Sequence, residues 1–444
     1  MKIKFKLNIF KAFIVNKRSK AIFFIAILLA IFSFLVTLLR AANTGLTYDE
    51  AYTYLYYAKD LKFNDFLPFF INCLANNHWM NTIFIKLVQG ITKVYYNEFF
   101  IRLPSIIFYA FYLTLLLYML YKKHISFFGF SLFSLIFYLN EFFGLARGYG
   151  IAVFLILLAC YFYYMWNIDN GYTHSYLTLS MLFFIMSTTA ITTTLLIFLS
   201  FAVPAFIILM KKHSLYDYIK KQWYWLIPMA LLSILMFIYH INITNGKPLP
   251  YNAPNFFSSF PLGYVSMYVT NKNIRFVFAV ILSVYFIFVT IFFRKKIINS
   301  IFIFPLFIHL LLWFIVNKLT GIYPSDRVLL PSVPLIIFSI IESFRWIIKV
   351  CKEHFQIVAI EKLFLFTKTI LITFLLLFFL INININKTVN WESNYEVRDI
   401  AFDALINKRP LNDVDLPFSQ RISYEFYKNK FIYFYNYDIS TENN

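Results

Sequence analysis

Ala21-Ile22-Phe23-Phe24-Ile25-Ala26-Ile27-Leu28-Leu29-Ala30-Ile31-Phe32-Ser33-Phe34-Leu35-Val36-Thr37-Leu38-Leu39 is the stretch whose reading decides the fold. No charge interrupts it. As an α-helix it would span about 28 Å, close to the ~30 Å hydrocarbon thickness of a bilayer. On its N-terminal side Lys2, Lys4, Lys6, Lys11, Lys17, Arg18 and Lys20 occur without a single acid, so the positive-inside bias holds that end in the cytoplasm. No small-residue A-x-A cleavage site follows the run, which therefore reads as a retained span and not a signal peptide.

Composition extends this reading to the whole chain. Of 444 residues, 61% are hydrophobic and only 14% charged; a soluble domain has about 45–50% apolar and about 25% charged residues. The chain reads as an all-α polytopic membrane protein. Its net charge of +19 is dispersed between apolar runs, which argues against a nucleic-acid partner and for membrane-lipid anchoring of the basic loops. Cys73, Cys160 and Cys351 lie far apart and form neither a disulfide framework nor a metal-ligand spacing.

Further apolar runs occupy Leu103–Leu120, Ile125–Leu139, Tyr149–Trp166, two short halves of Tyr176–Met210, Trp223–Ile241, Phe276–Phe293, Ile301–Val316, Val328–Ile348 and Leu363–Ile383. About eleven transmembrane helices result. The polar Ser187–Thr194 serves as the turn inside Tyr176–Met210. That split keeps Lys122, Lys123, Lys211, Lys212, Lys220, Lys221, Arg294, Lys295, Lys296, Lys349, Lys352 and Lys362 on the cytoplasmic side. The expected organisation is a membrane domain, 1–383, and a small extracytoplasmic tail, 384–444. The segment from Arg40 to Arg102 is too polar to span and reads as a large first outer loop with amphipathic helices on the membrane surface. In the tail, the aromatic Phe431–Tyr437 reads as a strand.

Directly after the first span comes Thr47-Tyr48-Asp49-Glu50-Ala51-Tyr52-Thr53-Tyr54. Thr47 and Glu50 have capping-box spacing, which starts a helix and puts Asp49 in its first turn, where the helix dipole favours a negative charge. A helix start can also present a carboxylate for chemistry. Arg147 in Leu145-Ala146-Arg147-Gly148-Tyr149-Gly150 and Arg327 in Tyr323-Pro324-Ser325-Asp326-Arg327 lie at span mouths on the expected outer side, against the orientation rule. Ionisable groups at such depth are functional candidates. The structural alternative is snorkelling, or pairing with Glu141 and Asp326. His78 in Asn76-Asn77-His78-Trp79-Met80-Asn81 and Lys86 complete the set. A satisfied loop histidine and an interfacial lysine are their structural alternatives.

In order along the chain, these blocks resemble GT-C glycosyltransferases, the class of the lipid A aminoarabinose transferases and protein O-mannosyltransferases. Tyr48-Asp49-Glu50-Ala51 resembles their acidic motif after the first span. Asn77-His78-Trp79-Met80-Asn81-Thr82 with Lys86 is similar to a block reading His-Pro-Pro or Lys-Pro-Pro in many members. Leu145–Gly150 resembles their arginine-plus-tyrosine motif, and Arg327 with Leu329-Leu330-Pro331 a late arginine-and-proline motif. The resemblance covers Ala21 to Ser343. It departs in lacking the double proline after His78 and in its match to the second acidic site, Glu141.

The resemblance implies a GT-C-like bundle in the cytoplasmic membrane. Such an enzyme moves a sugar from a polyprenyl-phosphate donor to a lipid, glycan or protein acceptor on the outer face. Asp49 would take the acceptor's proton, giving inversion, and Glu50 would orient a sugar hydroxyl. His78, Lys86, Glu141, Arg147, Tyr149 and Arg327 would line the substrate, the arginines holding the leaving phosphate. The resemblance fixes no cofactor; a divalent cation between Asp49, Glu50 and Glu141 is compatible with their oxygen ligands. The competing readings are a transporter or flippase, which repeated halves would favour, and a polymerase or ligase of lipid-linked glycans. No internal repeat is visible.

Overall fold

The computed structural model describes residues 17–59, 78–169, 173–212, 214–244, 260–268, 272–298, 300–320, 326–354, 357–383, 385–386, 396–406 and 416–435. Among these residues all regular structure is helical. The helices are α1 (Lys17–Asn43), α2 (Tyr48–Thr53, prolonged by a π turn Tyr54–Ala58), α3 (Trp79–Thr92), α4 (Glu98–Tyr121), α5 (Phe127–Ser134), α6 (Phe137–Phe143), α7 (Gly148–Ile168), α8 (His174–Ala190), α9 (Leu195–Lys211), α10 (Leu215–Thr244), α11 (Pro261–Ser266), α12 (Lys272–Ile297), α13 (Ile303–Thr320), α14 (Asp326–Leu329), α15 (Val333–His354), α16 (Ile357–Asn382), α17 (Val397–Ile406) and α18 (Phe418–Tyr435).

Among the described residues, seven helical stretches are long and apolar enough to cross a membrane: Lys20–Asn43, Glu98–Tyr121, Gly148–Ile168, Thr192–Lys211, Lys272–Ile291, Arg327–Cys351 and Leu363–Asn382, with a shorter apolar one at Ile303–Leu319. The protein is a helical membrane protein. The large apolar side chains left uncovered on α1 (Phe24, Ile31), α12 (Ile281, Val284) and α16 (Leu363, Phe366) belong on helices surrounded by lipid. The run Ile125–Leu139, expected as one span, differs. It breaks at Leu135 and Ile136 into α5 and α6, eight and seven residues long. At 1.5 Å per residue neither reaches across the hydrocarbon layer. Both are enclosed by protein instead, in a core shared with α4, α7, α8 and α15.

Contacts define the two ends of the bundle. At one end Phe23 of α1 packs at a tilt against Tyr121 of α4, Arg345 donates to the His124 carbonyl, and the Glu342 carboxylate accepts the N–H groups of Ile301, Phe302 and Ile303 at the start of α13. These free helix N-terminal donors need such an acceptor when buried. The other end gathers α2, α3, the starts of α4, α7 and α14, the end of α8, and α17–α18. Helix α3 buries its polar Asn81, Thr82 and Gln89 while Leu87 and Ile91 stay exposed. That inverted pattern suits a helix whose other face meets lipid; residues 60–77 of the segment Arg40–Arg102 lie outside the described set.

The tail holds no strand among its described residues. Phe431 to Tyr435 belongs to α18, and residues 436 and 437 are outside the description. Tyr424, Tyr427 and Phe431, spaced by three and four, are buried along one face, a helical period that overrides the strand preference of aromatic residues.

Candidate functional site

The turn between α1 and α2 is built around Arg102. Its guanidinium donates to the carbonyls of Ala41 (3.1 Å), Thr44 (2.6 Å) and Gly45 (2.8 Å) and to Oγ1 of Thr44 (2.9 Å). It also forms a fork on Glu50, Nε to Oε1 at 2.8 Å and Nη2 to Oε2 at 2.7 Å. Thr47 and Glu50 close the capping box: the Glu50 N–H donates to Thr47 Oγ1 (3.3 Å) and the Thr47 N–H to Glu50 Oε2 (2.9 Å). The Ala146 N–H donates to Oε1 at 2.6 Å. Burial raises the Glu50 carboxyl pKa, but Arg102 and these N–H groups outweigh it and hold the pKa below its ordinary value. Four donors occupy the roughly four lone-pair sites of a carboxylate. The expectation that Glu50 orients a sugar hydroxyl is therefore corrected: Glu50 is a fully buried structural anchor that leaves no acceptor site open.

Because Glu50 faces inward, its neighbour Asp49 turns the other way. Arg147 Nη1 lies 3.2 Å from Asp49 Oδ2, and Arg327 Nη1 lies 3.9 Å from the same oxygen. Three segments nearly 100 and 180 residues apart thus meet at one carboxylate. All three side chains are mostly shielded, with 13%, 3% and 14% exposure for Asp49, Arg147 and Arg327. Arg147 meets Asp49; the side chain of Asp326 lies outside the described residues.

Arg147 is positioned by close packing on either side of it. A Cβ at Gly148 would sit 2.3 Å from the Ala190 carbonyl and 2.8 Å from His78 Cβ, and one at Gly150 would sit 2.6 Å from the Phe143 ring. Asn81 Nδ2 donates to the Ala146 carbonyl at 2.8 Å. The Arg147 guanidinium lies 5.9 Å from the Tyr149 ring centre, within cation–π range. Tyr149 in turn meets His78 edge-on at 5.3 Å. Nδ1 of His78 is 3.0 Å from the Ala190 carbonyl, so Nδ1 carries the proton and Nε2 the lone pair. Burial, then the positive charge of Arg147 and, more weakly, Arg327, push the imidazole pKa well below its ordinary value. His78 is a neutral neighbour of the arginine pair.

The structure brings Asp49, Arg147, Arg327, His78 and Tyr149 together. Two expected members lie apart. Lys86 Nζ donates to the Lys59 carbonyl at 2.7 Å, at the end of the π turn. Glu141 is fully buried on α6 and interacts electrostatically with Arg40. A shared cation between Asp49, Glu50 and Glu141 does not match these placements, and among the described residues no group of three or more His, Cys, Asp or Glu side chains has a metal-binding arrangement. Sequence reasoning missed Arg102, whose signal was a charge just ahead of an apolar run, and Tyr427. The latter accepts the Leu46 N–H at 2.8 Å and carried no local signal.

An apolar cavity of about 280 Å³ lies between α5, α11, α12, α15 and α16. Its α15 wall runs from Val333 through Ile336, Ile337 and Ile340 to Phe344, beginning just after the 3₁₀ turn Leu330–Ser332 that follows Arg327. The chain matches no family model, no curated protein and no solved structure.

Proposed function

We propose that this protein is an inverting glycosyltransferase that takes a sugar from a polyprenyl-phosphate donor and gives it to a lipid, glycan or protein acceptor outside the cytoplasmic membrane. The observation that carries this reading is the convergence of Asp49, Arg147 and Arg327 from remote segments onto one shielded point. A carboxylate can accept the acceptor hydroxyl's proton as that oxygen attacks the anomeric carbon. Two guanidinium groups suit the two charges that build up on the departing phosphate, and their effect is large where water is scarce. The apolar cavity beyond Arg327 has the chemistry to hold a hydrocarbon chain attached to that phosphate.

Both arginines face one oxygen of Asp49. In this reading, the donor phosphate replaces the carboxylate as their partner, which frees Oδ2 to take the proton. The test uses three variants, with donor binding probed by undecaprenyl phosphate and transfer read from envelope glycans by mass spectrometry. Asp49→Asn is expected to lower transfer by about 10²–10⁴-fold while retaining phosphate binding. Arg147→Lys and Arg327→Lys keep the charge but lose the planar fork, and both should weaken undecaprenyl-phosphate binding. Normal transfer in Asp49→Asn, or normal binding and transfer in both lysine variants, would remove the cluster from the chemistry.

A further inference from the structure

The catalytic helix proposed above is held from both sides. Arg102 and Glu50 fix it to the bundle; α17 and α18 cover its other face. Leu46, Ala51, Tyr54 and Ala58 share one buried cluster with Val397, Ala401, Ala404, Phe426, Tyr427 and Phe431. Phe426 packs edge-on against Tyr54 at 5.4 Å. Two polar ties fix the register. The Leu46 N–H, three residues before Asp49, donates to the buried Tyr427 hydroxyl at 2.8 Å. Lys430 Nζ lies 2.7 Å from Glu98 Oε2 in the first turn of α4. A third contact runs from Arg398 Nη1 to the Asn43 carbonyl at the end of α1, 3.2 Å.

We infer that the α17–α18 hairpin is a clamp that sets the position of Asp49, with Tyr427 as its positioning residue. Helix α2 has six residues, too few to be stable alone, so its placement depends on what packs against it. Its Glu50 side is bonded to the chain turn. The Tyr427 hydroxyl satisfies the Leu46 N–H of that turn; removing the hydroxyl leaves a buried donor unpaired and lets the segment before α2 shift. Arg147 is tied to α2 through the Ala146 N–H on Glu50, whereas Tyr427 bonds the chain just ahead of Asp49, so loss of its hydroxyl should move Asp49 more than the arginines.

The test compares the full chain with its Tyr427→Phe variant, which keeps the ring. Hydrogen exchange of amides 46–53 should become at least about fivefold faster, with the spans unchanged. Undecaprenyl-phosphate binding should stay within about twofold, and glycan transfer in cells should fall about 5–20-fold. A second variant, Lys430→Gln, loosens the hairpin from α4 and should also speed exchange over 46–53. Unchanged exchange in both variants overturns the clamp. Faster exchange with undiminished transfer overturns the positioning role. This role rests on the glycosyltransferase reading, and the two fail differently: if cells lacking the wild-type chain show unaltered glycans, that reading falls, while the exchange rates still decide the clamp.

Discussion

At Asp49 and Glu50 two adjacent carboxylates meet opposite surroundings. Glu50 has Arg102 as a bidentate partner and two backbone donors, all inside the protein. Asp49 has two arginines on one oxygen and retains some exposure. Their amide variants should therefore separate. Glu50→Gln leaves the buried Arg102 without its counter-charge, and breaking such a pair costs about 3–5 kcal/mol. The expected result is poor recovery of folded protein from detergent and a markedly lower unfolding temperature. Asp49→Asn should keep much more of its stability and lose transfer. Equal stability of the two variants would contradict the buried-anchor role of Glu50.

At the scale of elements, two glycines of the same end test how Arg147 is placed. Gly148 begins α7 where the Ala190 carbonyl of α8 and the His78 side chain approach too closely for any Cβ. Gly148→Ala should destabilise by about 1–3 kcal/mol, as overpacking does. It should also weaken undecaprenyl-phosphate binding, because Arg147 is the adjoining residue. Gly90, in α3, has nothing within 4 Å of a Cβ. There alanine should be neutral or stabilising by up to about 1 kcal/mol, from helix propensity alone. Thermal unfolding of the two variants checks the opposite signs.

At the scale of the whole molecule, the proposed function requires the Asp49 end to lie outside. Lys122 and Lys123 follow α4 at the end that holds Phe23 and Arg345, and Lys211 and Lys212 stand at the C-terminal end of α9. Labelling with a membrane-impermeant maleimide checks this, in a background with Cys73, Cys160 and Cys351 replaced by alanine. Lys93→Cys and Asp399→Cys, both at exposed positions, should label in intact cells. Lys212→Cys, also exposed, should label only after permeabilisation. Labelling of Asp399→Cys only from inside would place α17 and α18 in the cytoplasm and remove them from the proposed active side.

The sequence by itself determined that this is a helical membrane protein, because a bilayer demands long uncharged helical runs and each run can be read locally. It also determined where α2 starts, since a capping box is a four-residue pattern, and it marked Asp49, Arg147 and Arg327 as charges in costly places. Only the tertiary structure decided what those charges touch. Which of two neighbouring acids turns inward depends on Arg102, more than fifty residues on. That the run Ile125–Leu139 is two short enclosed helices depends on the neighbours that replace lipid around it. The helical state of Phe431–Tyr435 and the hold of Tyr427 on Leu46 depend on a surface 381 residues away along the chain. Pair energies of this kind arise between surfaces that fold together, and no local period or propensity encodes which remote surface that will be.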